Sequence, residues 1–581
     1  MELKKEYELV IVGAGVHGLS MAITYLQVNP HHNVLIVEKA MSIGGTWAKE
    51  RVYSGLKTNN AFGSYEFSDL PMPAAEYGEA EGSHIPGLAV HEYLSKVSVA
   101  HKIDKCICYG TSVESATQRD DGKWSIQLLD GTTGNSPKIT AHRLVIATGI
   151  TSEPNIPSIP GADSFKGLAI HAKQMAKERK RLDACKDVVV IGGNKSSWDI
   201  CYLTATAGAQ AHMVIRPSGG GPSYLWPSVC RLGPLEFSFG PLSGTRIFTL
   251  FDPTPYHGEG LVQRFLHRTT IGISICLLFW NVLDKLVRYL NGYSNHPETK
   301  KLEPWTTPFW VGNSVSINNY DEDYFRLVRE GKIKVHIADA VSMSEDQIRL
   351  SDGSSLKADA LVYCTGWKPK PSIKIDVLGT TPILSKPKTY DAAEAARLEE
   401  EVYRSVPYLR TIARRTANAP KLPESRTVPS NESLELYRHV VPSEPHFIKQ
   451  KNLAFIGAHS SPHAIAVAQA QALWITAFFG GRINHLKGNE LDLNRIKHNT
   501  ALHRTYGEIR RPTITGGFGD RYPDIVFDSL PYIDTLLEDV GVKSKRKSSW
   551  WKDLTEPYGP AEYDGITEEW LKQFPTITEK A

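Results

Sequence analysis

The chain has 581 residues, 41% of them hydrophobic and 22% charged, with a formal net charge of +3. That length exceeds one ordinary hydrophobic core and implies two or three domains. The near balance of charge argues against a nucleic-acid partner, and seven cysteines without a CxxC pair fit a reducing compartment and no metal site. The charged stretch Met1 to Glu8 has no apolar signal region, so a cytoplasmic protein is expected.

Leu9-Val-Ile-Val12 runs into Gly13-Ala-Gly15-Val-His-Gly18, and Glu38 stands 20 residues after the last glycine. This is a dinucleotide fingerprint with its parts in order: strand, glycine turn, helix start, second strand (33–37) and an acid for a ribose. Gly13 permits the turn, Gly15 lets the backbone approach a pyrophosphate, and Gly18 lets helix and strand pack closely. The pattern then gives Gly44-Gly45-Thr46-Trp47, a helix near 91–100, and strands near 111–118 (containing Val113) and 123–129. A strand at 143–147 ends in Thr148-Gly149, and Pro154, Pro157 and Pro160 form a rigid linker where the chain changes domain.

A second unit follows. Asp187-Val-Val-Val-Ile191 enters Gly192-Gly193-Asn194-Lys195-Ser196-Ser197, a helix is expected over 198–207, and a strand over 211–215 ends at Arg216. Asn194 stands where the second glycine would be, and its tolerance of left-handed backbone suits it to that turn. Arg216 occupies the ribose-reading position; a cation there suits a 2′-phosphate and favours NADP over NAD, although an ordinary surface arginine would look the same.

Residues 217–310 lack this regularity and read as a cap over the site, with Trp226, Phe237, Phe239, Phe248 and Trp280 suiting a bulky hydrophobic substrate. Within the cap, 269–283 carries no charge. It is shorter than the ~18 residues of a bilayer span, so it reads as a buried helix or pocket wall, or else as a weak monotopic membrane contact. The α/β pattern resumes near 320–339, a strand at 359–363 enters Cys364-Thr365-Gly366-Trp367, and a long helix is expected over 464–479. The fold class expected is α/β, with two dinucleotide-binding, Rossmann-like domains and a helical or irregular insertion. The segments are 1–160 and 361–500 for the first domain, 161–216 and 311–360 for the second, 217–310 for the insertion, and 501–581 as a C-terminal extension.

Two such units in one chain, with Gly44-Gly45-Thr46-Trp47 and Phe165-Lys-Gly167-Leu-Ala-Ile-His171, resemble the class B flavin-dependent monooxygenases, the group of flavin-containing and Baeyer–Villiger enzymes. The family's linker motif closes on an aromatic residue, where this chain has Met175. Tyr53-Ser-Gly-Leu-Lys-Thr-Asn59 with Phe67-Ser-Asp69-Leu-Pro71 is similar to the flavin-side stretch of the same group. The resemblance implies FAD on the first unit (Gly13, Gly15, Gly18, Glu38, Gly45, Thr46, Trp47, Val113, Thr148, Gly149) and NADPH on the second (Gly192, Asn194, Ser196, Arg216, Thr365, Gly366). It also implies a hydroperoxyflavin that oxygenates an apolar small molecule with O2, in secondary metabolism. Asn59 would hydrogen-bond the flavin adduct, and Asp69 would be a supporting catalytic acid. Asn59 also suits an ordinary turn, and Asp69 a surface turn before Pro71. Baeyer–Villiger oxidation, epoxidation and heteroatom oxygenation stay open. A flavin disulfide reductase would need a redox cysteine pair, which is missing; an NADPH oxidase-type flavoprotein or a membrane-surface FAD-binding protein are the other readings.

Overall fold

Runs of valine, isoleucine and leucine with no polar alternation mark strands buried on both faces, and two parallel-cored sheets are built from them. The computed structural model describes residues 2–574 apart from 233, 257–259, 313–314, 369–370, 372, 378–390, 411–419 and 421–433. The first unit opens with β1 (Glu6–Val12), α1 (Val16–Val28) and β2 (Val34–Val37). The short hairpin of β3 (Lys57–Ala61) and β4 (His84–Pro86) follows, then α2 (Gly87–Ala100), β5 (Ile107–Cys108), β6 (Thr111–Gln118), β7 (Trp124–Asp130) and β8 (Lys138–Ile146). β1 lies between β2 and β8, parallel to both, with Val10 opposite Leu35 and Leu144.

The second unit comprises β9 (Leu168–His171), α3 (Met175–Asp183), β10 (Asp187–Ile191), α4 (Lys195–Thr206) and β11 (Gln210–Ile215). The cap adds β12 (Tyr224–Pro227), α5 (Phe239–Ser243), α6 (Arg246–Thr249), α7 (Leu261–Arg268), α8 (Thr270–Asn291) and β13 (Val315–Asn318). The chain then returns to the second sheet with β14 (Ile333–Ile337) and β15 (Ala360–Tyr363), and to the first with β16 (Lys374–Val377) and β17 (Leu453–Phe455). The first sheet has eight strands in the order β16-β6-β7-β8-β1-β2-β5, with β17 on β8; the second has five in the order β14-β11-β10-β15-β9. Ala360–Tyr363 pairs with β10 and β9, so the second domain extends to residue 363 and the expected boundary at 360/361 falls inside a strand.

After α9 (Ala464–Phe479) and α10 (Leu493–Arg510), the expected C-terminal extension 501–581 supplies α11 (Ser529–Asp539) and α12 (Trp550–Thr555), and it is not an appended piece. Tyr532, Ile533, Leu536 and Leu537 are completely buried in the same core as β1, α1 and α9. Tyr506 and Phe527 complete the core of the cap, which explains why the insertion alone shows no regular apolar pattern. There Trp226 stacks on Phe239 at 4.2 Å and Phe248 meets Trp280 edge to face at 5.7 Å. Asp252 is buried between Arg510 and Arg511, which fastens the cap to α10. Removing one side of such a buried ionic cluster costs roughly 3–5 kcal/mol.

Candidate active site

The two glycine turns are built alike. Gly13 (φ 115°) and Gly192 (φ 146°) have backbone that side chains avoid, and a Cβ on either would lie 2.5 Å from a carbonyl oxygen, that of Ala147 or Cys364 respectively. Those carbonyls belong to the ends of the crossing strands, so Ala147-Thr148-Gly149 and Cys364-Thr365-Gly366 are equivalent pieces of the two units. Gly18 is locked by contact, since a Cβ there would stand 1.9 Å from the Gly13 oxygen. Gly15 and Asn194 occupy the same N-cap position with extended backbone, φ −80° and −89°. Asn194 is therefore not left-handed, and its tolerance of that region is not what admits it; the position simply accepts a side chain. Neither α1 nor α4 has a side-chain cap, which leaves their first N–H groups for phosphates.

Around the first turn, the Glu38 carboxylate accepts from the N–H groups of Ala14 (2.7 Å) and Ala40 (2.8 Å). Burial raises its pKa, and two of its roughly four lone-pair positions stay available for ribose hydroxyls. Gly44 and Gly45 take positive φ and bring the backbone against Gly15. Thr46 Oγ1 meets Thr151 Oγ1 at 2.9 Å, and Trp47 Nε1 donates to the Tyr65 hydroxyl at 3.0 Å. Arg51 was not legible as a binding residue. Its guanidinium stands over Trp367 at 5.2 Å, 3.5 Å from the Gly45 oxygen, and burial lowers its pKa to about 10. A half-buried cation beside the glycines, an uncapped helix and a ribose acid together fit a dinucleotide diphosphate, and these residues would hold FAD. Val113 packs its side chain into the core of the first sheet, and Thr148 and Gly149 border a small separate pocket.

A cavity of about 1590 Å³ lies between the two units and under the cap. That exceeds the ~300–1,000 Å³ of a single-ligand pocket, so it has room for a coenzyme and a substrate together. Trp47, Asn59, Gly192, Asn194, Ser196, Arg216, Thr365 and Gly366 line it. Asp69 does not; it faces His101 at 3.4 Å, outside this cavity. Of the five cap aromatics, Phe239 alone lines the cavity, while Trp226, Phe248 and Trp280 are spent in the core of the cap. His171 holds the domain linker, its Nε2 3.1 Å from the Gly366 oxygen and its ring edge-on to Trp367 at 4.9 Å. Trp367 thus supplies an aromatic contact for His171, while Met175 is buried in the core of the second unit.

Residues to which the motifs gave no role complete the site. Lys195 pairs with Asp199, donates to Asn319 Oδ1 (2.8 Å) and lies over the Tyr320 ring at 4.3 Å. Asn319 Nδ2 donates to the Thr58 carbonyl at 2.8 Å, and Lys57 pairs with Asp321 at 2.6 Å. The second unit therefore grips β3, the strand that presents Asn59. On the other side, Asn60 Nδ2 donates to the Pro462 carbonyl at 3.0 Å, beside His463 at the start of α9. His463 lines the cavity with its Nδ1 buried and unpartnered, and burial lowers its pKa to about 4, which keeps it neutral.

Residues 10–228 match the family model described as pyridine nucleotide-disulphide oxidoreductase. An FAD-dependent monooxygenase of Aspergillus sclerotiorum is 31% identical, across 97% of this chain and 98% of its own length. The chain belongs to the class B flavin-dependent monooxygenases. A second FAD-dependent monooxygenase, from Pyrenophora dematioidea, is 32% identical across 94% of this chain and 99% of its own. The fold is shared with cyclohexanone monooxygenase from Rhodococcus sp. Phi1, solved with NADP+ bound, at a TM-score of 0.57 and 17% identity over 92% of this chain and 97% of that one. The monooxygenase is an FAD enzyme, and the glycine turn at Gly13 with Arg51 and Glu38 is the part of it suited to that cofactor.

Proposed function

We propose that this monooxygenase binds NADPH at its second unit and, through the hydroperoxyflavin that the resemblance implies, inserts one oxygen atom of O2 into an apolar organic molecule. When bound, FAD supplies the activation of O2: the two electrons of NADPH reduce one oxygen atom to water while the other stays in the product. The observation that supports this reading is the single cavity bordered by Asn59, by the turn Gly192–Ser196 and by Phe239. It brings the flavin-side strand, the second nucleotide unit and the cap to one space.

The chain's own residues divide the remaining work. Arg216, exposed at the cavity edge, is placed to meet a 2′-phosphate. The Asn59 amide has no partner among the described residues and offers both a donor and an acceptor toward the flavin side. Val229, Phe239, Pro241, Ile317 and Val526 make the cap side apolar, which holds a hydrophobic substrate and excludes water. Anaerobic mixing with NADPH is expected to bleach the flavin. In air, isotopically labelled O2 is expected to leave one labelled atom in the product of a ketone, alkene or amine. No flavin reduction by NADPH at saturating substrate overturns the proposal.

A further inference from the structure

His463 stands where three elements meet. It is the N-cap residue of α9, its own N–H donates to Ser461 Oγ at 3.0 Å, and the Asn60 amide of β3 holds the Pro462 carbonyl just before it. The cap closes the other side. A Cβ on Gly244, between α5 and α6, would lie 3.2 Å from His463 Nε2 and 3.2 Å from the Tyr558 carbonyl oxygen. The missing side chain leaves Nε2 a niche between the cap and the turn at 557–560, and Pro241, Tyr558 and Pro560 line the cavity there, as His463 does. The niche is firmly held. The Tyr558 N–H donates to the Gly244 carbonyl at 2.8 Å, and the Arg246 guanidinium lies 4.6 Å over the Tyr558 ring while pairing with Asp553 at 3.1 Å.

The imidazole itself bonds to nothing among the described residues. It does not cap α9, its Nδ1 is buried without a partner, and its Nε2 has none either. An orphaned buried N–H is rarer than an unpaired buried acceptor, so the lone pair belongs on Nδ1 and the proton on Nε2, toward the niche. Burial keeps the ring neutral, its pKa lowered to about 4, and the positive end of α9 disfavours a cation at the same place. The neighbouring polar side chains are already engaged. Ser243 Oγ donates to the Gly240 oxygen at 2.8 Å, and Ser461 Oγ meets Ser529 Oγ at 2.9 Å. Glu562, the acid that ends the 557–562 turn, accepts from the Gly559 N–H at 2.7 Å and pairs with Lys547 at 2.7 Å.

We infer that His463 Nε2 donates a hydrogen bond to an acceptor oxygen of the substrate and so fixes how its apolar body lies under the cap. The oxygen held in this way is a handle, whichever atom of the molecule is oxygenated. A substrate whose handle is an ammonium fits badly: it meets a donor, a helix N-terminus behind that donor, and a carboxylate already paired with Lys547. The inference rests on the cavity being the substrate site of the proposed oxygenation.

The test uses two probes of one shape, 4-phenylcyclohexanone and 4-phenylcyclohexylamine, titrated calorimetrically into the oxidised, FAD-loaded full chain. The parent is expected to bind the ketone about fivefold or more tighter than the amine. His463→Leu is expected to weaken the ketone by about fivefold to tenfold, the value of one neutral hydrogen bond, and to leave the amine unchanged. Its thermal stability should not fall, because the substitution removes an unpaired nitrogen. His463→Gln, whose amide can place an N–H near the position of Nε2, is expected to keep most of the ketone affinity. Infrared spectra with a 13C-labelled carbonyl supply the signature: the stretch of the bound ketone is expected at lower frequency in the parent and His463→Gln than in His463→Leu. No NADPH is added, so flavin reduction and oxygen insertion can fail without affecting this result, and the reverse. Equal ketone affinity and equal carbonyl frequency in the parent and His463→Leu overturn the inference. So does a parent that binds neither probe, or that binds the amine more tightly.

Discussion

Gly15 and Gly45 face each other across the first glycine turn: a Cβ built on Gly15 would lie 3.7 Å from the Gly45 Cα, and one on Gly45 only 3.1 Å from the Gly15 Cα. The asymmetry matters because Gly15, with φ −80°, has backbone that any residue adopts. Gly15→Ala is therefore expected to fold with the apo thermal stability of the parent. Its methyl group stands where a diphosphate must approach, so FAD binding is expected to weaken by roughly 2–4 kcal/mol, the loss of one or two charge-assisted hydrogen bonds. Flavin titration followed by fluorescence checks this. Gly18→Ala is the contrasting case, because its Cβ would meet the Gly13 oxygen at 1.9 Å and the variant should not yield folded protein. A yellow, FAD-loaded Gly15→Ala enzyme would refute the assignment of this turn.

Arg216 separates the two nicotinamide coenzymes. It follows β11 directly, is exposed and lines the cavity, so a coenzyme phosphate can reach it without displacing core residues. Arg216→Ala is expected to raise the KM for NADPH by the value of one charge-assisted contact, about 1.5–3 kcal/mol, and to leave NADH nearly unaffected. Steady-state reduction of the flavin with each coenzyme gives the comparison. Equal losses for both would show that another group reads the phosphate.

Both nucleotide units were legible because their residues are local: Gly13, Gly18 and Gly192 are demanded by contacts within one strand–turn–helix or with a strand that announces itself as apolar. The cap was not legible, since Tyr506 and Phe527 complete its core from more than 200 residues beyond its first strand, β12. No periodicity can show such a contact. The same holds for Lys195, Asn319 and His463, which acquire meaning only when the second unit and α9 converge on β3. Asp69 shows the complementary limit: a motif fixes neighbours along the chain, and the turn at Phe67–Leu70 carries its carboxylate toward His101. The apolar run at 269–283 gave its composition correctly and its burial wrongly, because burial depends on which partners arrive.

Asn319 tests whether the grip on β3 serves the reaction. Its amide joins Lys195 to the Thr58 carbonyl, one residue before Asn59, and it is buried. Asn319→Ala removes both bonds and leaves the Thr58 oxygen unpaired, a cost of about 1–3 kcal/mol. The expected result is coenzyme consumption that outruns product formation, measured as the ratio of product to NADPH oxidised. FAD content should not change, because the Gly13 turn is untouched. An unaltered ratio would mean that Asn59 needs no support from the second unit.

Acid sensitivity is expected from buried histidines. Burial lowers the pKa of His212 to about 4 and of His439 to about 3, and holds His459 well below its ordinary 6.5. All three are buried, and His439 Nε2 lies 2.6 Å from the Tyr256 hydroxyl. The folded state thus binds fewer protons than the unfolded chain between pH 6.5 and about 4, so stability rises with pH in that window and is lost as pH falls through it. At pH 5.5 each such histidine costs about 1.4 kcal/mol relative to pH 8. Asp528 acts in the opposite sense, since burial raises its carboxyl to about 8 and its contribution falls as pH rises. Denaturant unfolding at pH 7.0, 6.0 and 5.0 should therefore show a net loss toward acid. His439→Asn is the informative variant: the backbone there is left-handed, φ 58°, which asparagine tolerates. It should reduce the acid slope by one proton, about 1.4 kcal/mol per pH unit below pH 6. A slope identical to the parent would show that His439 is already charged in the folded protein.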